Sequence, residues 1–232
     1  MMRVLVSVRS VAEAELAARG GADFIDLKEP GQGALGGLPL ETIRAVVAAL
    51  RASGSRLPLS ATIGDLAMDR LETIRARVSA VAACGVDYVK VGIERGPAAP
   101  AVLEALAACA APVVPVFIAD RGLDAAHVEL ACGHGFPGLM ADTADKRAGS
   151  LFDVMSVVDL RRFIATVRAS GAMVGLAGAL RIEHQPLLSA LAPDFAGFRT
   201  AVCVGDRDSA LDPQRVRVLA AAMHGKAAVG AG

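Results

Sequence analysis

Phe24-Ile25-Asp26-Leu27-Lys28 and Asp87-Tyr88-Val89-Lys90-Val91-Gly92 decide how this chain folds. Each is a short apolar run that ends at a charged side chain, and each lies between Ala/Leu/Arg segments with helical periodicity. Such a unit reads as a strand feeding a crossover helix. Outward from these two the alternation spans the chain. Strands are expected at 3–8, 23–28, 57–62, 86–92, 112–118, 138–142, 172–177 and 194–199. Helices are expected at 10–20, 39–53, 68–84, 97–110, 124–134, 151–170, 181–191 and 212–224. Strictly alternating strands and helices imply parallel pairing. Eight such pairs predict a single-domain (β/α)8 TIM barrel over residues 1–224, followed by a loose small-residue tail at 225–232. An open doubly wound sheet is the alternative. Local signals agree at the helix ends: Pro39 before Glu41, Pro97 opening the fourth helix, Asp212-Pro213 opening the last, and Gly20-Gly21 closing the first.

Lysine is scarce and placed. The chain holds 24 Lys+Arg, of which only Lys28, Lys90, Lys146 and Lys226 are lysine. Three of the four sit at or just past strand ends, and Lys226 lies in the tail. Arginine stays protonated, whereas a lysine amine can lose its proton and attack a carbonyl. Biased codon usage explains the scarcity of lysine but not its positions.

Composition excludes several classes. At 232 residues with a formal net charge of zero, the chain has no electrostatic footprint for nucleic acid. Aromatics are 3%, with no Trp and one Tyr, too few for base-stacking platforms. The hydrophobic fraction of 54% and mean hydropathy of +0.49 reflect alanine. Charges or Gly/Pro interrupt every apolar run before the roughly 18–20 residues of a membrane span. The apolar run at the N-terminus is too short for a signal peptide, so a cytoplasmic protein is expected. Cys84, Cys109, Cys132 and Cys203 are scattered, with no Cys-x-x-Cys pair. His127, His134, His184 and His224 lack metal-ligand spacing, and no nucleophile-elbow sequence is present. Neither a metal nor another cofactor is expected.

Active sites of such barrels form at the C-terminal ends of the strands. Those ends carry Ser7, Arg9, Asp26, Lys28, Ser60, Thr62, Lys90, Asp120, Asp142, Gly178 and Arg199. Strand alternation points Asp26 and Lys28 the same way, and likewise Tyr88, Lys90 and Gly92. Two lysines and two aspartates then converge on one mouth. Neighbouring amines and burial both favour a neutral amine, which is the equipment of Schiff-base chemistry. A buried Asp–Lys structural pair is the competing reading for any single pair, and weakens when three lysines stand at three strand ends. Gly31-Gln32-Gly33-Ala34-Leu35-Gly36-Gly37 spells a dinucleotide fingerprint, but it follows the second strand and lacks the later acid, so a mobile loop near a phosphate suits it better. The last two strand ends are the usual barrel phosphate site, where Gly178 would offer backbone N–H groups and Arg199 a bidentate cation. Arg199 pairing instead with an acid is an equal alternative.

Taken together, these segments resemble the (5-formylfuran-3-yl)methyl phosphate synthase family of methanofuran biosynthesis over essentially the whole chain. Asp26-Leu27-Lys28-Glu29-Pro30, Ser60-Ala61-Thr62-Ile63-Gly64-Asp65, Asp87 to Gly92, Asp142-Thr143-Ala144-Asp145-Lys146 with Leu151-Phe152-Asp153, Leu176-Ala177-Gly178 and Gly197-Phe198-Arg199 carry the resemblance. It implies a lyase that joins two glyceraldehyde 3-phosphate molecules into a furan aldehyde phosphate with loss of phosphate and water, for a methanofuran-type one-carbon carrier. It further implies that Lys28 forms the Schiff base and Lys90 accepts the proton, with Asp26, Asp142 and Lys146 completing the catalytic set and Ser60, Gly178 and Arg199 binding substrate or phosphate. Thr200 and Val204 depart from the family pattern. The expected partner is a small phosphorylated triose, not nucleic acid or membrane, and a homo-oligomer is expected. A generic class I aldolase or phosphosugar isomerase, and a non-catalytic phosphometabolite-binding barrel, are the alternatives.

Overall fold

Eight strands close on themselves in chain order, each parallel to the next and β8 to β1, in a computed structural model that describes residues 2–33, 35–145 and 149–225. The strands are β1 (Arg3–Val8), β2 (Phe24–Leu27), β3 (Leu59–Thr62), β4 (Tyr88–Ile93), β5 (Val113–Ile118), β6 (Gly138–Asp142), β7 (Met173–Leu176) and β8 (Phe195–Phe198). Between and after them run α1 (Val11–Arg19), α2 (Leu40–Ala52), α3 (Leu71–Ala82), α4 (Ala99–Ala107), α5 (Ala125–Gly133), α6 (Leu151–Val154), α7 (Val157–Ala169), α8 (Gln185–Leu191) and α9 (Pro213–Met223). The expected (β/α)8 barrel is therefore the observed one. The expected tail lies, apart from Gly225, outside the described residues. Among those described, no helix is long and apolar enough to cross a membrane.

Alternation along each strand builds two cores. Val4, Val6, Val8, Ile25 and Leu27 point outward into the layer shared with the helices. There α2, for example, buries Ile43, Val46, Val47 and Leu50, the one-face spacing of an amphipathic helix. The intervening side chains fill the barrel: Leu5, Phe24, Val114, Val116, Met140, Ala177 and Phe195 cluster inside it. At the N-terminal end the Phe24 and Phe195 rings stack with centroids 5.3 Å apart, and the Arg3 guanidinium lies 4.9 Å from the Phe24 ring. This packed floor leaves the C-terminal end for chemistry. Gly175 is what admits the floor: a Cβ there would stand 2.3 Å from the Phe195 ring and 2.9 Å from Met140. Gly175→Ala is expected to lower stability by about 1–3 kcal/mol through overpacking, measured as a urea midpoint shift at unchanged m-value.

Two helix expectations are corrected. The helix read over 151–170 is broken, because Met155 is extended and buried and Ser156 caps a new helix. Ser156 accepts from the Asp159 N–H at 3.1 Å and donates its hydroxyl to the Asp159 carboxylate at 2.6 Å. The fourth helix begins at Ala99, with Pro100 rather than Pro97 in its first turn.

Candidate active site

Strand register lays down the first row of the site. Ser7, Asp26 and Ser60 stand side by side across β1, β2 and β3. The two flanking hydroxyls donate to separate oxygens of Asp26, Ser7 to Oδ2 at 3.1 Å and Ser60 to Oδ1 at 2.6 Å. Lys90 on β4 places Nζ 2.9 Å from the same Oδ1. One turn of the pleat further on, Lys28 Nζ lies 3.9 Å from Asp142 Oδ2, across the barrel on β6. Asp142 is in turn oriented by the Thr143 N–H, which donates to its Oδ1 at 2.7 Å. All four charged side chains are buried: Lys28 is 7% exposed, Lys90 3%, Asp26 2% and Asp142 2%. Asp26, Lys28, Ser60, Lys90 and Asp142 are thus brought together. Lys146 lies outside the described residues.

Burial pushes the Lys90 pKa below the ordinary lysine value, and the nearby Lys28 charge adds to this. The Asp26 charge and hydrogen bond oppose that shift without reversing it. For Asp26, burial acts to raise the pKa, but Lys90, Lys28 and the Ser60 hydroxyl together hold the carboxyl below its ordinary value. Lys90 accordingly releases its proton more readily than a free lysine, beside a carboxylate that is ionised at neutral pH.

Leu5, Leu35, Val116, Met140 and Ala177 give the pocket beside these groups an apolar wall. Leu35 comes from the glycine-rich stretch expected as a mobile loop, and backbone groups of Leu35 and Gly36 are hydrogen-bonded. Gly36 O accepts from the Glu29 N–H and from the Thr62 hydroxyl, both at 2.8 Å, and Leu35 N–H donates to Asp65 at 3.2 Å. Gly36 has to be glycine, since a Cβ would meet Glu29 O at 2.2 Å. An isolated leucine amid glycines was the only sequence sign of this plug.

The rim belongs to β7 and β8. Gly178 (φ 112°) and Ala179 (φ 45°) turn the backbone at the mouth, and among the described residues neither N–H has a hydrogen-bond partner. Arg199 also lines the pocket, and the protein itself engages its guanidinium, with an acid among the partners as in the alternative reading. Its Nε donates to Arg207 O at 2.8 Å, Nη1 to Ser7 O at 3.1 Å and Glu13 Oε2 at 2.5 Å, and Nη2 to Glu13 Oε1 at 3.1 Å and Ser209 O at 2.8 Å. All five guanidinium N–H groups are therefore occupied. Glu13, in the first turn of α1, is the acid that sequence reading left unnamed. With side chains 6% and 10% exposed, the pair is buried, so Glu13→Ala is expected to cost about 3–5 kcal/mol by stranding the arginine, read by urea unfolding. Among the described residues no group of three or more His, Cys, Asp or Glu is disposed to hold a metal ion.

Comparison with known proteins finds relatives over nearly the whole chain. A family profile described as 4-HFC-P synthase matches residues 4–220. A Methylorubrum extorquens protein provisionally named (5-formylfuran-3-yl)methyl phosphate synthase is 40% identical over 223 residues, covering 96% of this chain and 92% of its own. The (5-formylfuran-3-yl)methyl phosphate synthase of Archaeoglobus fulgidus is 35% identical over 245 residues, covering 97% of this chain and all 100% of its own. Among solved structures, phosphoribosyl anthranilate isomerase from Thermus thermophilus superposes with a TM-score of 0.66 at 18% identity, covering 97% of this chain and 99% of that one. The 3-hexulose-6-phosphate synthase of Salmonella typhimurium gives 0.65 at 16%, covering 97% and 100%. At such identities these structures speak for the fold alone.

Proposed function

The chain belongs to the 4-HFC-P synthase family, and from that membership we propose that it condenses two molecules of glyceraldehyde 3-phosphate into (5-formylfuran-3-yl)methyl phosphate through a Schiff base on Lys28. The observation that carries the reading is the pair of buried amines, each matched to its own aspartate, at the open end of an otherwise apolar barrel. A structural ion pair needs one lysine and one acid. Two such pairs facing one pocket, with one amine's proton loosened by burial, suit carbonyl chemistry.

In this scheme the Lys28 amine adds to the triose carbonyl and water leaves, giving an iminium that acidifies the adjacent C–H. Neutral Lys90 takes that proton, and its new positive charge is met by Asp26 at 2.9 Å. The resulting enamine supplies the electron pair for carbon–carbon bond formation with the second triose. Loss of one phosphate and two waters with ring closure, and then imine hydrolysis that takes back the water released in imine formation, gives the furan and returns Lys28. Asp142 balances the iminium charge, and Lys146 is proposed to assist at the phosphates. The product would feed synthesis of a methanofuran-type one-carbon carrier.

Incubation with glyceraldehyde 3-phosphate, followed by ultraviolet and phosphorus NMR spectroscopy, tests the assignment. A furan aldehyde chromophore growing in step with inorganic phosphate is expected. A simple aldol product or an isomer, with no phosphate released, would replace the synthase reading with a generic aldolase or isomerase.

A further inference from the structure

Arg199 is fully occupied by the protein itself, so among the described residues another cation is needed to meet a phosphate at this rim. The cations lining the pocket among the described residues are Lys28, Lys90, Arg199 and Arg207. The first three face Asp142, Asp26 and Glu13 respectively. Arg207 is different. Its Nη2 donates to Gly33 O at 3.1 Å, and among the described residues no carboxylate forms an ion pair with it, although Asp206 and Asp208 flank it in sequence. Among the described residues its remaining side-chain donors have no protein partner, and the residue lines the pocket.

The segment that carries Arg207 is held rather than loose. Cys203 and Leu211 pair across its base, Val204 N–H donates to Ala210 O at 3.0 Å, and Ser209 Oγ donates to Asp206 O at 2.6 Å. Buried Arg199 fixes the top of the same segment through the Arg207 and Ser209 carbonyls. Gly178, Ala179 and Thr200 line the same pocket as Arg207. Ala179 is left-handed without ending a helix, unlike Ala192, the other non-glycine residue with positive φ, which caps α8. Such a conformation is uncommon for alanine and costs energy that the surroundings must offset. Here it accompanies two unpartnered N–H groups at the mouth.

We propose that Arg207 binds a phosphate group of the substrate together with the Gly178 and Ala179 N–H groups, and that Arg199 acts as the positioning residue that presents Arg207. The carrier of that phosphate follows from the synthase reading above, on which this assignment rests. The chemistry recognised is a phosphate monoester, for which a guanidinium fork is well matched.

The test titrates inorganic phosphate calorimetrically into the wild-type enzyme, Arg207→Ala and Arg207→Lys, alongside steady-state kinetics with glyceraldehyde 3-phosphate. Loss of a charge-assisted contact in Arg207→Ala is expected to weaken phosphate affinity and raise KM by roughly ten- to a hundredfold, with kcat changed little and Arg207→Lys recovering part of the loss. Borohydride trapping with unphosphorylated glyceraldehyde should be the same in wild type and Arg207→Ala. No phosphate binding by the wild type, or equal affinity in Arg207→Ala, overturns the assignment. So does an equal loss of trapping with both aldehydes, which would mean that Arg207 merely braces Gly33. Should phosphate binding depend on Arg207 while no furan forms, the reaction assignment fails and the phosphate site stands.

Discussion

Lys28→Arg is expected to yield no reducible adduct with glyceraldehyde 3-phosphate and to lose furan formation by on the order of 10⁴-fold or more, the scale on which disabling a concerted catalytic set acts. The guanidinium preserves the positive charge facing Asp142 but has no amine able to become an iminium. Lys28→Met separates the two contributions, since it removes charge and nucleophile together. If both variants lose activity alike while Lys28→Arg still binds inorganic phosphate, the missing function is covalent and the pocket is intact. Borohydride reduction of the wild type, followed by peptide mapping, should place the adduct on Lys28. An adduct on Lys90 or Lys146 would keep the Schiff-base chemistry and exchange the roles. A fully active Lys28→Arg enzyme would end the covalent proposal and favour a binding protein or a different reaction on the same barrel.

The barrel was legible because strand and helix periods alternate without interruption, and Asp26, Lys28, Lys90 and Asp142 were legible because strand ends define the mouth. Their pairing was not. Asp26 and Lys28 share one strand, yet Asp26 pairs with Lys90 two strands away and Lys28 with Asp142 across the barrel. Strand tilt and register decide that, and a linear sequence does not display them. The Arg199 alternative was similarly undecidable, since its acid lies 186 residues earlier in α1. The break at Met155 is another matter. Ser150…Asp153 and Ser156…Asp159 are two serine–acid cap patterns six residues apart, and each begins a helix. Helical periodicity across the junction concealed a signal that was present. Arg207 stands between two aspartates in the sequence, and nothing linear shows that among the described residues the fold pairs it with neither.

Removing Lys90 should separate proton transfer from imine formation. Lys90→Gln is expected to lower kcat by about 10²–10⁴-fold, the usual worth of a general base, while the borohydride adduct at Lys28 persists. The pH profile gives a sharper check. A base must be neutral to act, so kcat/KM should rise with pH as Lys90 deprotonates and then level off. Burial first, and then the Lys28 charge, place that rise below the ordinary lysine value of 10.5. Asp26 works in the opposite direction, favouring the ammonium through its charge and its 2.9 Å contact. Asp26→Asn removes that charge, so the acidic limb should move to still lower pH even as the plateau falls. A rise that moves upward, or one whose position ignores residue 26, would show that the titrating base is not Lys90. The two lysines would then differ only in which aspartate holds them, and the loosened proton on Lys90 would be a consequence of burial with no part in the reaction.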